Sequence, residues 1–378
     1  MKVAQELWTL GAQTIVGQPV SVADADLVIG FGSPQLLAAS ETWQRLRAKW
    51  GRAHIVACST AGEISGTQVF DDSLAVTAIR FEGTPLRCAQ VVLTSALTSA
   101  EAGKNLAEQL LGPNLRHVFV LSDGLKVNGS ELVAGMIAAL PAHVSLSGGL
   151  SGDGDRFQRT YVCVDGFDEL PRVAALGFYG DRLEVRSASL GGWDPFGPER
   201  RVTRSKDNVL YELDGQPALD LYEQYLGEHA ANLPASGLSF PLSVRVTREQ
   251  TGVVRTILAM DRAERSLTFA GDIPTGAYAR LMCANFERLV QGAEDAARTC
   301  HDATQSSPPD LAILISCVGR KLVLKQRVEE EVEGAGRILG DTVRLTGFYS
   351  YGEISPFTPT ARCELHNQTM TITTFRES

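Results

Sequence analysis

The segment Leu311-Ala-Ile-Leu-Ile-Ser-Cys317 is a short apolar run whose length and content predict a buried strand. The glycine-containing turn Val318-Gly319 follows, and a helical pattern extends from about Arg320 to Ile338. A second run, Val343-Arg-Leu-Thr-Gly-Phe-Tyr349, predicts another strand, which ends in the turn Ser350-Tyr-Gly-Glu-Ile-Ser355. This strand–helix–strand order is typical of α/β folds.

Two earlier segments repeat this order. Asp26-Leu-Val-Ile-Gly-Phe-Gly32 opens a unit that closes in Cys58-Ser-Thr-Ala-Gly-Glu-Ile-Ser65. His117-Val-Phe-Val-Leu-Ser-Asp-Gly124 opens another unit, which closes in Gly149-Leu-Ser-Gly-Asp-Gly154. Gly-Glu-Ile-Ser follows a predicted strand twice, which indicates an internal duplication. We therefore expect a mixed α/β (α+β) fold of two topologically related halves, built from repeated hairpin–helix–strand–helix–strand units around mixed sheets.

The composition is that of a soluble globular protein. The chain has 378 residues, of which 44% are hydrophobic and 21% charged, and this length fits two domains. No apolar run reaches the ~18 residues of a transmembrane helix, and the first residues lack the apolar core of a secretory signal. A net charge of -9 argues against a nucleic-acid partner. The 7 scattered cysteines suit a reducing compartment, so we expect a cytoplasmic protein without membrane insertion.

The sequence lacks the common enzymatic and metal-binding fingerprints. It has no Gly-x-x-x-x-Gly-Lys-Ser/Thr loop, no Gly-x-Ser-x-Gly elbow, no His-Glu-x-x-His motif and no Cys-x-x-Cys pair. Gly30-Phe-Gly32 follows a strand, but Gln35 stands where a dinucleotide-binding fold has its third glycine. Ser122 and Cys58 lie at strand ends and are the nucleophiles that a hydrolase would use, but no histidine partner is obvious. We therefore expect a protein that is not an enzyme.

Small and polar residues cluster instead in the turns after the predicted strands. Ligands of α/β sheets bind at the carboxyl ends of strands, where such turns offer backbone amides and close approach. Carboxylates there would bind an amine or polarise a ligand. The candidate ligand-binding residues are Ser59, Glu63, Asp123, Gly149, Asp153, Ser350, Glu353 and Asn367. The structural alternative is that the turns are glycine-rich for backbone geometry and that the acids cap helices.

His366 differs from the other histidines because it lies in the polar segment Cys363-Glu-Leu-His-Asn-Gln-Thr369 of a strand that should be at least half buried. In a regular strand His366 shares a face with Glu364 and Gln368, whereas Cys363 points the other way, so the two do not form a joint metal site. A neutral imidazole there would hydrogen-bond internally, or would bind a haem iron through one nitrogen while the other is held by a neighbour.

Six motifs give the chain a resemblance to the FIST family, the bacterial intracellular sensory domains made of paired FIST N and FIST C halves. The motifs are Cys58-Ser-Thr-Ala-Gly-Glu-Ile-Ser65, Gly148-Gly-Leu-Ser-Gly-Asp-Gly154, Gly191-Gly-Trp-Asp-Pro-Phe-Gly-Pro198, Leu213-Asp-Gly-Gln-Pro-Ala218, Gly347-Phe-Tyr-Ser-Tyr-Gly-Glu-Ile354 and Leu365-His-Asn-Gln-Thr369. The resemblance covers nearly the whole chain. With the boundary placed in a polar, basic stretch, it implies a FIST N domain at 26–207 and a FIST C domain at 208–375.

The resemblance also implies a function. The family is regarded as binding small ligands, with amino acids suggested, and as passing the signal to partner proteins. The stand-alone form, which we expect here, resembles the nitric-oxide-sensing NosP type, which binds haem b and modulates a separate histidine kinase and cyclic-di-GMP signalling. The family supplies no axial ligand, so the choice of His366 rests on its own surroundings. A homodimer is compatible with this interpretation.

Three hypotheses are open at this point. The leading one is a two-component sensor that binds haem b and a gas ligand, nitric oxide, and controls a partner kinase. The second is a haem-free sensor of an amino acid or another small metabolite, bound by the strand-end carboxylates. The third is a hydrolase that uses Ser122 or Cys58, and the missing histidine partner argues against it.

Overall fold

The computed structural model is rich in β-strands and describes residues 1–9, 12–14, 24–233, 235–301, 308–358 and 361–378. The strands are β1 (Lys2–Thr9), β2 (Ala12–Thr14), β3 (Leu27–Gly32), β4 (His54–Ser59), β5 (Glu63–Ser65), β6 (Gln68–Phe70), β7 (Ser73–Arg80), β8 (Leu86–Val92), β9 (Leu115–Ser122), β10 (Ser145–Leu150), β11 (Val162–Val164), β12 (Arg172–Tyr179), β13 (Leu183–Leu190), β14 (Asp194–Lys206), β15 (Val209–Leu213), β16 (Gln216–Pro217), β17 (Leu242–Arg245), β18 (Val253–Arg255), β19 (Ile257–Asp261), β20 (Ser266–Phe269), β21 (Tyr278–Cys283), β22 (Leu311–Cys317), β23 (Arg344–Ser350), β24 (Gly352–Pro356), β25 (Cys363–His366) and β26 (Met370–Glu377).

The helices connect these strands. They are α1 (Pro34–Ala38), α2 (Ser40–Lys49), α3 (Ser99–Leu110), α4 (Gly129–Ala139), α5 (Ala218–Leu226), α6 (Phe286–Cys300), α7 (Val318–Leu324) and α8 (Val328–Leu339), with 3-10 turns at Gly227–Asn232, Ala235–Ser239 and Lys325–Arg327. Polar side chains define several helix starts. Thr98 and Glu101 form a capping box before α3, and the Asn128 side chain accepts the first free amides of α4.

Three sheets in the described residues share one strand order. Each has a parallel pair in which a helix links the first strand to the second, as expected for a strand–helix–strand unit. An antiparallel strand and then an outer strand lie beside the first member of the pair. The sheets run β11-β4-β3-β7-β1-β2 (sheet 1), β25-β24-β10-β9-β12-β8 (sheet 2) and β6-β5-β23-β22-β26-β13 (sheet 3). The core is therefore a threefold repeat and extends the predicted duplication.

The strands beside the second member of each parallel pair are exchanged between repeats. The β5–β6 hairpin follows β4 of sheet 1 along the chain, but β5 pairs with β23 of sheet 3. The segment after β10 of sheet 2 pairs with β4 of sheet 1 through β11, and the β24–β25 hairpin after β23 pairs with β10. The exchange is cyclic, so each sheet is completed by another repeat.

The inner faces of the three sheets pack against one another. Phe31 of sheet 1 stacks on Phe348 of sheet 3 with ring centroids 4.7 Å apart, and Phe119 of sheet 2 joins the same buried cluster. The outer faces are covered by helix pairs, of which α3 with α4 and α6 with α8 are the most extensive. Helices on one face and other sheets on the opposite face leave the central strands buried on both sides, which explains their continuous apolar runs.

A further antiparallel sheet is inserted between β13 and α6. It runs β18-β17-β21-β14-β15-β20-β19, with β16 paired to β15, and α5 packs on it. We call this unit the inserted sheet. Its junction with the core is partly apolar, since Trp193 and Leu289 cluster there with residues of α7. The predicted 207/208 domain boundary falls in the turn between β14 and β15, inside this unit.

Two local predictions differ from the structure. The helix predicted over 320–338 is divided into α7 and α8, because Lys325 adopts a φ of 54° and ends the first helix. The strand predicted through the Cys363–Thr369 segment ends at His366, and Gln368 turns the chain with a φ of 62°. A residue with a positive φ interrupts both elements, and side-chain patterns do not reveal such a residue.

Gly347 provides a test of how closely the parallel strands approach. A β-carbon at Gly347 would lie 1.8 Å from the carbonyl oxygen of Leu314 on β22, and backbone cannot move away cheaply. We expect Gly347→Ala to lower the free energy of unfolding by about 2–3 kcal/mol or more. The matched control is Gly166→Ala, because nothing lies within 4 Å of a β-carbon there. Equal denaturant midpoints for the two variants would contradict this close approach.

Candidate functional site

The loops that follow β4, β10 and β23 meet in a cycle of backbone hydrogen bonds. In each bond, a loop amide of one repeat donates to a carbonyl of another repeat. The carbonyl belongs to the last or the second-last residue of that repeat's second parallel strand. The donors are Ala61, Gly152 and Tyr351, and the acceptors are Tyr349 (2.8 Å), Ser59 (2.9 Å) and Leu150 (3.2 Å), respectively. We call this the strand-end ring. It brings together the turns that contain most of the predicted ligand-binding residues.

Glu63 and Glu353 occupy equivalent places beside the ring, and both are enclosed. Glu353 accepts hydrogen bonds from Ser350 Oγ (2.7 Å) and from Thr369 N and Oγ1 (3.2 and 2.9 Å). Glu63 accepts from the Thr60 hydroxyl and from Ser73 N and Oγ (3.1 and 2.7 Å). Each carboxyl therefore fastens its own turn to the start of the following strand.

Burial gives these two carboxyls unusual proton affinities. It raises the pKa of Glu353 to about 8 and that of Glu63 to about 7, although the hydrogen bonds from hydroxyls and amides oppose the shift. Both groups therefore bind protons at pH values where an exposed glutamate is ionised. Neither carboxyl has the free, charged oxygen that an amine ligand would need.

The two predicted aspartates are also bound by their own loops. Asp123 Oδ1 accepts from the amides of Leu125 (2.8 Å) and Lys126 (2.7 Å). Asp153 Oδ2 accepts from the amides of Gln158 (2.9 Å) and Arg159 (2.8 Å), and its Oδ1 accepts from the Tyr351 hydroxyl. These contacts correspond to the structural alternative considered for the strand-end acids, in which carboxylates stabilise turns.

The predicted small residues also have structural contacts. Ser59 Oγ accepts from the Tyr161 amide at 2.8 Å, and a β-carbon at Gly149 would lie 2.9 Å from Ile315. The Ser122 hydroxyl donates to the carbonyl of Asp123 at 3.1 Å.

The hydrolase hypothesis requires an activated nucleophile. Burial raises the pKa of the Cys58 thiol well above its usual value, so it stays protonated. Ser122 has no exposed surface, and its hydroxyl is engaged with a backbone carbonyl. Neither residue has the activated form that nucleophilic catalysis needs in this conformation.

The loop between β25 and β26 contains polar atoms without partners. Asn367 is fully buried, and neither of its amide atoms has a hydrogen-bond partner in the described structure. His366 Nε2 lies 2.8 Å from Ser355 O, whereas its Nδ1 has no partner. The inserted sheet covers this loop, since Gln368 Nε2 donates to Leu238 O at 3.2 Å. Unpaired buried amides typically cost about 1–3 kcal/mol, so Asn367 stays a candidate ligand-binding residue.

His366 has the neutral imidazole that a haem ligand needs, but its ring is enclosed by the protein. Burial lowers its pKa to about 4, so the imidazole is neutral, and Nδ1 keeps a free lone pair. The ring has no exposed surface, and Phe357 packs against it edge-on at 4.4 Å. A porphyrin plane has no room beside this nitrogen in the folded arrangement, so the residues present do not fit a haem.

An open cleft lies where α1 faces the loop after β10. Its volume is about 380 Å³, within the range of small-molecule sites. It lies at the carboxyl end of β3, as expected for a ligand site of an α/β sheet. We call it the α1 cleft, and it is lined by Pro34, Gln35, Ala38, Asp153, Arg156, Gln158, Arg159 and Tyr161.

The other two repeats have positions equivalent to the α1 cleft, where the first helix of the repeat faces a loop of another repeat. A side chain occupies each of these two positions. In sheet 3, Lys321 of α7 donates to Ala61 O at 2.8 Å and pairs with Asp71. In sheet 2, Leu365 packs against Gly129, the first residue of α4, and a β-carbon there would lie 2.8 Å from Leu365 Cδ1. The α1 cleft, in contrast, is open to solvent.

Sequence reasoning identified Asp153 but missed the rest of the cleft. Arg156 and Arg159 belong to Gly154-Asp-Arg-Phe-Gln-Arg159, directly after a turn that was singled out for its glycines. The available signal was a pair of arginines beside a strand-end turn. Gln35, noted only as a departure from a dinucleotide motif, lies on the opposite wall.

Membrane-spanning helices and metal-binding clusters are both missing from the described ranges. No helix in them combines the length and apolarity needed to cross a bilayer. No three histidine, cysteine, aspartate or glutamate side chains in the same ranges are grouped to hold a metal ion.

The buried carboxyls predict a specific pH dependence. Since the native state binds the Glu353 proton more tightly than the unfolded chain does, the contribution of Glu353 to stability falls as pH rises from about 4.5 to about 8. Glu353→Gln removes this contribution, so the stability of the variant relative to the parent should rise by up to about 1.4 kcal/mol per pH unit in that window. Urea unfolding at several pH values measures it.

The control for this pH series is Glu333→Gln, which alters an exposed glutamate. Its stability relative to the parent should change little between the same pH values. A parallel pH response of the two variants would show that Glu353 does not retain its proton in the native state.

The chain matches the FIST N domain over residues 26–216 and the FIST C domain over residues 218–356. The matches meet after the predicted 207/208 boundary, still within the inserted sheet. An uncharacterized protein of Methanocaldococcus jannaschii is 25% identical over 202 residues, which are 50% of this chain and 38% of that protein. The chain thus spans well under half of that relative's length. The two domain matches together cover most of the sequence, and the chain belongs to the FIST family of sensory signal-transduction proteins.

Proposed function

We propose that this FIST protein is a sensor that binds a small molecule in the α1 cleft and signals to a separate partner protein. The observation that supports the proposal is the difference between three equivalent positions. Lys321 and Leu365 fill two of them, whereas the third is an open cleft of about 380 Å³ with polar walls. A threefold fold that needed these positions only for packing would fill the third as well.

The loop that lines the cleft is fastened to the other half of the chain, which provides a route for the signal. Tyr351, which lies within the FIST C match, accepts hydrogen bonds from the amides of Asp153 (3.2 Å) and Phe157 (3.3 Å). The Phe157 ring stacks on Tyr351 with centroids 4.4 Å apart. A ligand that moves this loop changes the Tyr351 contacts, and the energy available equals its difference in affinity for the two arrangements.

The haem-based alternative remains a prediction from the family resemblance. It comprises nitric oxide sensing through haem b at His366 and control of a histidine kinase and cyclic-di-GMP signalling. The free Nδ1 atom of His366 is the observation in its favour, and the enclosed ring opposes it. Haem binding would require the loop at Asn367 to open.

A substitution that fills the cleft tests the proposal without knowledge of the ligand. Ala38 is exposed and lines the α1 cleft, so Ala38→Trp places an indole ring in it. A metabolite library is screened against the parent by thermal shift. Saturating ligands add about 2.7 kcal/mol of stability at 100 times Kd, which raises Tm by a few degrees. We expect Ala38→Trp to lose the shift that any such ligand produces.

The matched control is Ala48→Trp, which adds the same ring to an exposed position of α2 outside the cleft lining. This variant should keep the thermal shift of the parent. A ligand that stabilises Ala38→Trp as much as it stabilises the parent would show that it binds elsewhere.

The haem prediction has a separate test, the absorption spectrum of protein purified from haem-supplemented cells. A Soret band that shifts with nitric oxide and is lost in His366→Ala would support the haem sensor and its axial ligand. A band that persists in His366→Ala would reject His366 as the ligand. A folded, haem-supplemented protein without a Soret band would reject haem b as its cofactor.

A further inference from the structure

We infer that the α1 cleft takes a ligand with an anionic group, a carboxylate or a phosphate, and that Arg156 and Arg159 bind this group. The inference rests on the proposed function, because it names the chemistry of a ligand for the same cleft. Both arginines line the cleft. Guanidinium groups present paired N–H donors that match the oxygens of these anions.

The two arginines lack the carboxylate partners that several other exposed arginines of this protein have. Arg204 pairs with Glu212 and Arg262 pairs with Glu223, each at 2.9 Å. Arg156 and Arg159 have no carboxylate partner within the described residues, and both are exposed. Two unpaired positive charges on one wall attract an anion and repel a cation.

The single acid that lines the cleft offers a ligand no free oxygen. Asp153 is 1% exposed, and both its oxygens already accept hydrogen bonds from Gln158, Arg159 and Tyr351. Its nearest acidic neighbour in sequence, Asp155, is not part of the lining. The carboxylate thus orders the loop, and the guanidinium groups face the solute.

The loop is also held in shape before a ligand arrives. The Asp153 carboxylate fixes the amides of Gln158 and Arg159, and Phe157, which has a φ of 51°, is stacked on Tyr351. Arg156 and Arg159 flank this fixed segment. Binding at such a site loses less conformational entropy than binding to a mobile loop, which increases affinity.

The remaining lining residues suit the uncharged part of the ligand. Gln35 and Gln158 offer side-chain amides, and the Tyr161 ring supplies an apolar face with a hydroxyl. Pro34 and Ala38 add small apolar surface. The cleft therefore suits a compact molecule with an anionic group at one end and hydrogen-bonding groups at the other.

The test follows the arginine side-chain Nε–H signals of the full-length protein by NMR during titration with inorganic phosphate, succinate or the neutral analogue succinamide. We expect phosphate, succinate or both to shift the Arg156 and Arg159 signals in a saturable manner, and succinamide to leave them unchanged. Arg156→Gln and Arg159→Gln should each weaken the binding about tenfold. Arg52→Gln, at an exposed arginine outside the α1 cleft, should leave it unchanged.

The source of the anion follows from which probe binds. Saturable shifts with phosphate alone indicate a phosphoryl ligand, and shifts with succinate alone indicate a carboxylate. No saturable shift of either signal with either anion up to about 10 mM would overturn the inference. Equal binding of succinamide, or of an anion by the double variant R156Q/R159Q, would overturn it as well.

The two proposals fail in different ways. A library ligand whose effect is lost in Ala38→Trp but is unchanged in R156Q/R159Q would refute the anionic class and leave the cleft as the sensor site. A ligand that produces the same thermal shift in Ala38→Trp as in the parent would refute the α1 cleft as the sensor site.

Discussion

The strand-end ring is the constraint on which the rest of the structure depends. Each parallel strand pair ends at the ring, where the Ala61, Gly152 and Tyr351 amides bind carbonyls of another repeat. The chain then continues into a neighbouring sheet, so no repeat completes its own sheet. Removing one repeat would leave unpaired strand edges in the others. The three repeats therefore stabilise one another, and none of them forms an independent domain.

The sequence predicts the strands of the repeats well because their signal is local. Leu311–Cys317 and Leu27–Gly32 are buried on both faces, and both stand out as apolar runs. The exchange has no local signal. Glu63 pairs with Phe348, far along the chain, and the residues of the β5–β6 hairpin do not encode which sheet edge accepts them. The sequence motif reveals only two of the three repeats, because the second repeat has Gly-Asp-Gly where the others have Gly-Glu-Ile-Ser.

The sequence predicts a ligand site at the strand-end turns, and the proposed α1 cleft lies at one of them, but Asp153 is the single predicted residue in its lining. Carboxylates that stabilise a turn and carboxylates that bind a ligand occupy the same strand-end positions. The degree of burial distinguishes them, because an enclosed carboxylate cannot contact a ligand. Glu63 and Glu353 are enclosed and bound by serine and threonine hydroxyls, which sequence spacing could not show. Arg156 and Arg159 were missed because arginines in a polar loop usually face solvent. Their proximity to α1 arises from the exchange between repeats.

The equivalence of the repeats also explains why the loop beneath the inserted sheet has an amide where the first repeat has a carboxylate. Ser73 and Thr369 have the same role toward Glu63 and Glu353, so Asp71 and Asn367 occupy equivalent positions two residues earlier. The Asp71 side chain is 70% exposed and pairs with Lys321.

Asn367 lies where the inserted sheet excludes water, and an unpaired carboxylate there would cost far more than an amide. The loop beneath the inserted sheet thus carries the uncharged side chains of Asn367 and His366, and the Arg255 guanidinium of the inserted sheet donates to Leu365 O at 2.9 Å. The α1 cleft lies outside this cover. Exposed arginines stay charged there without a protein partner because water solvates them, and a soluble anion can reach them by the same opening.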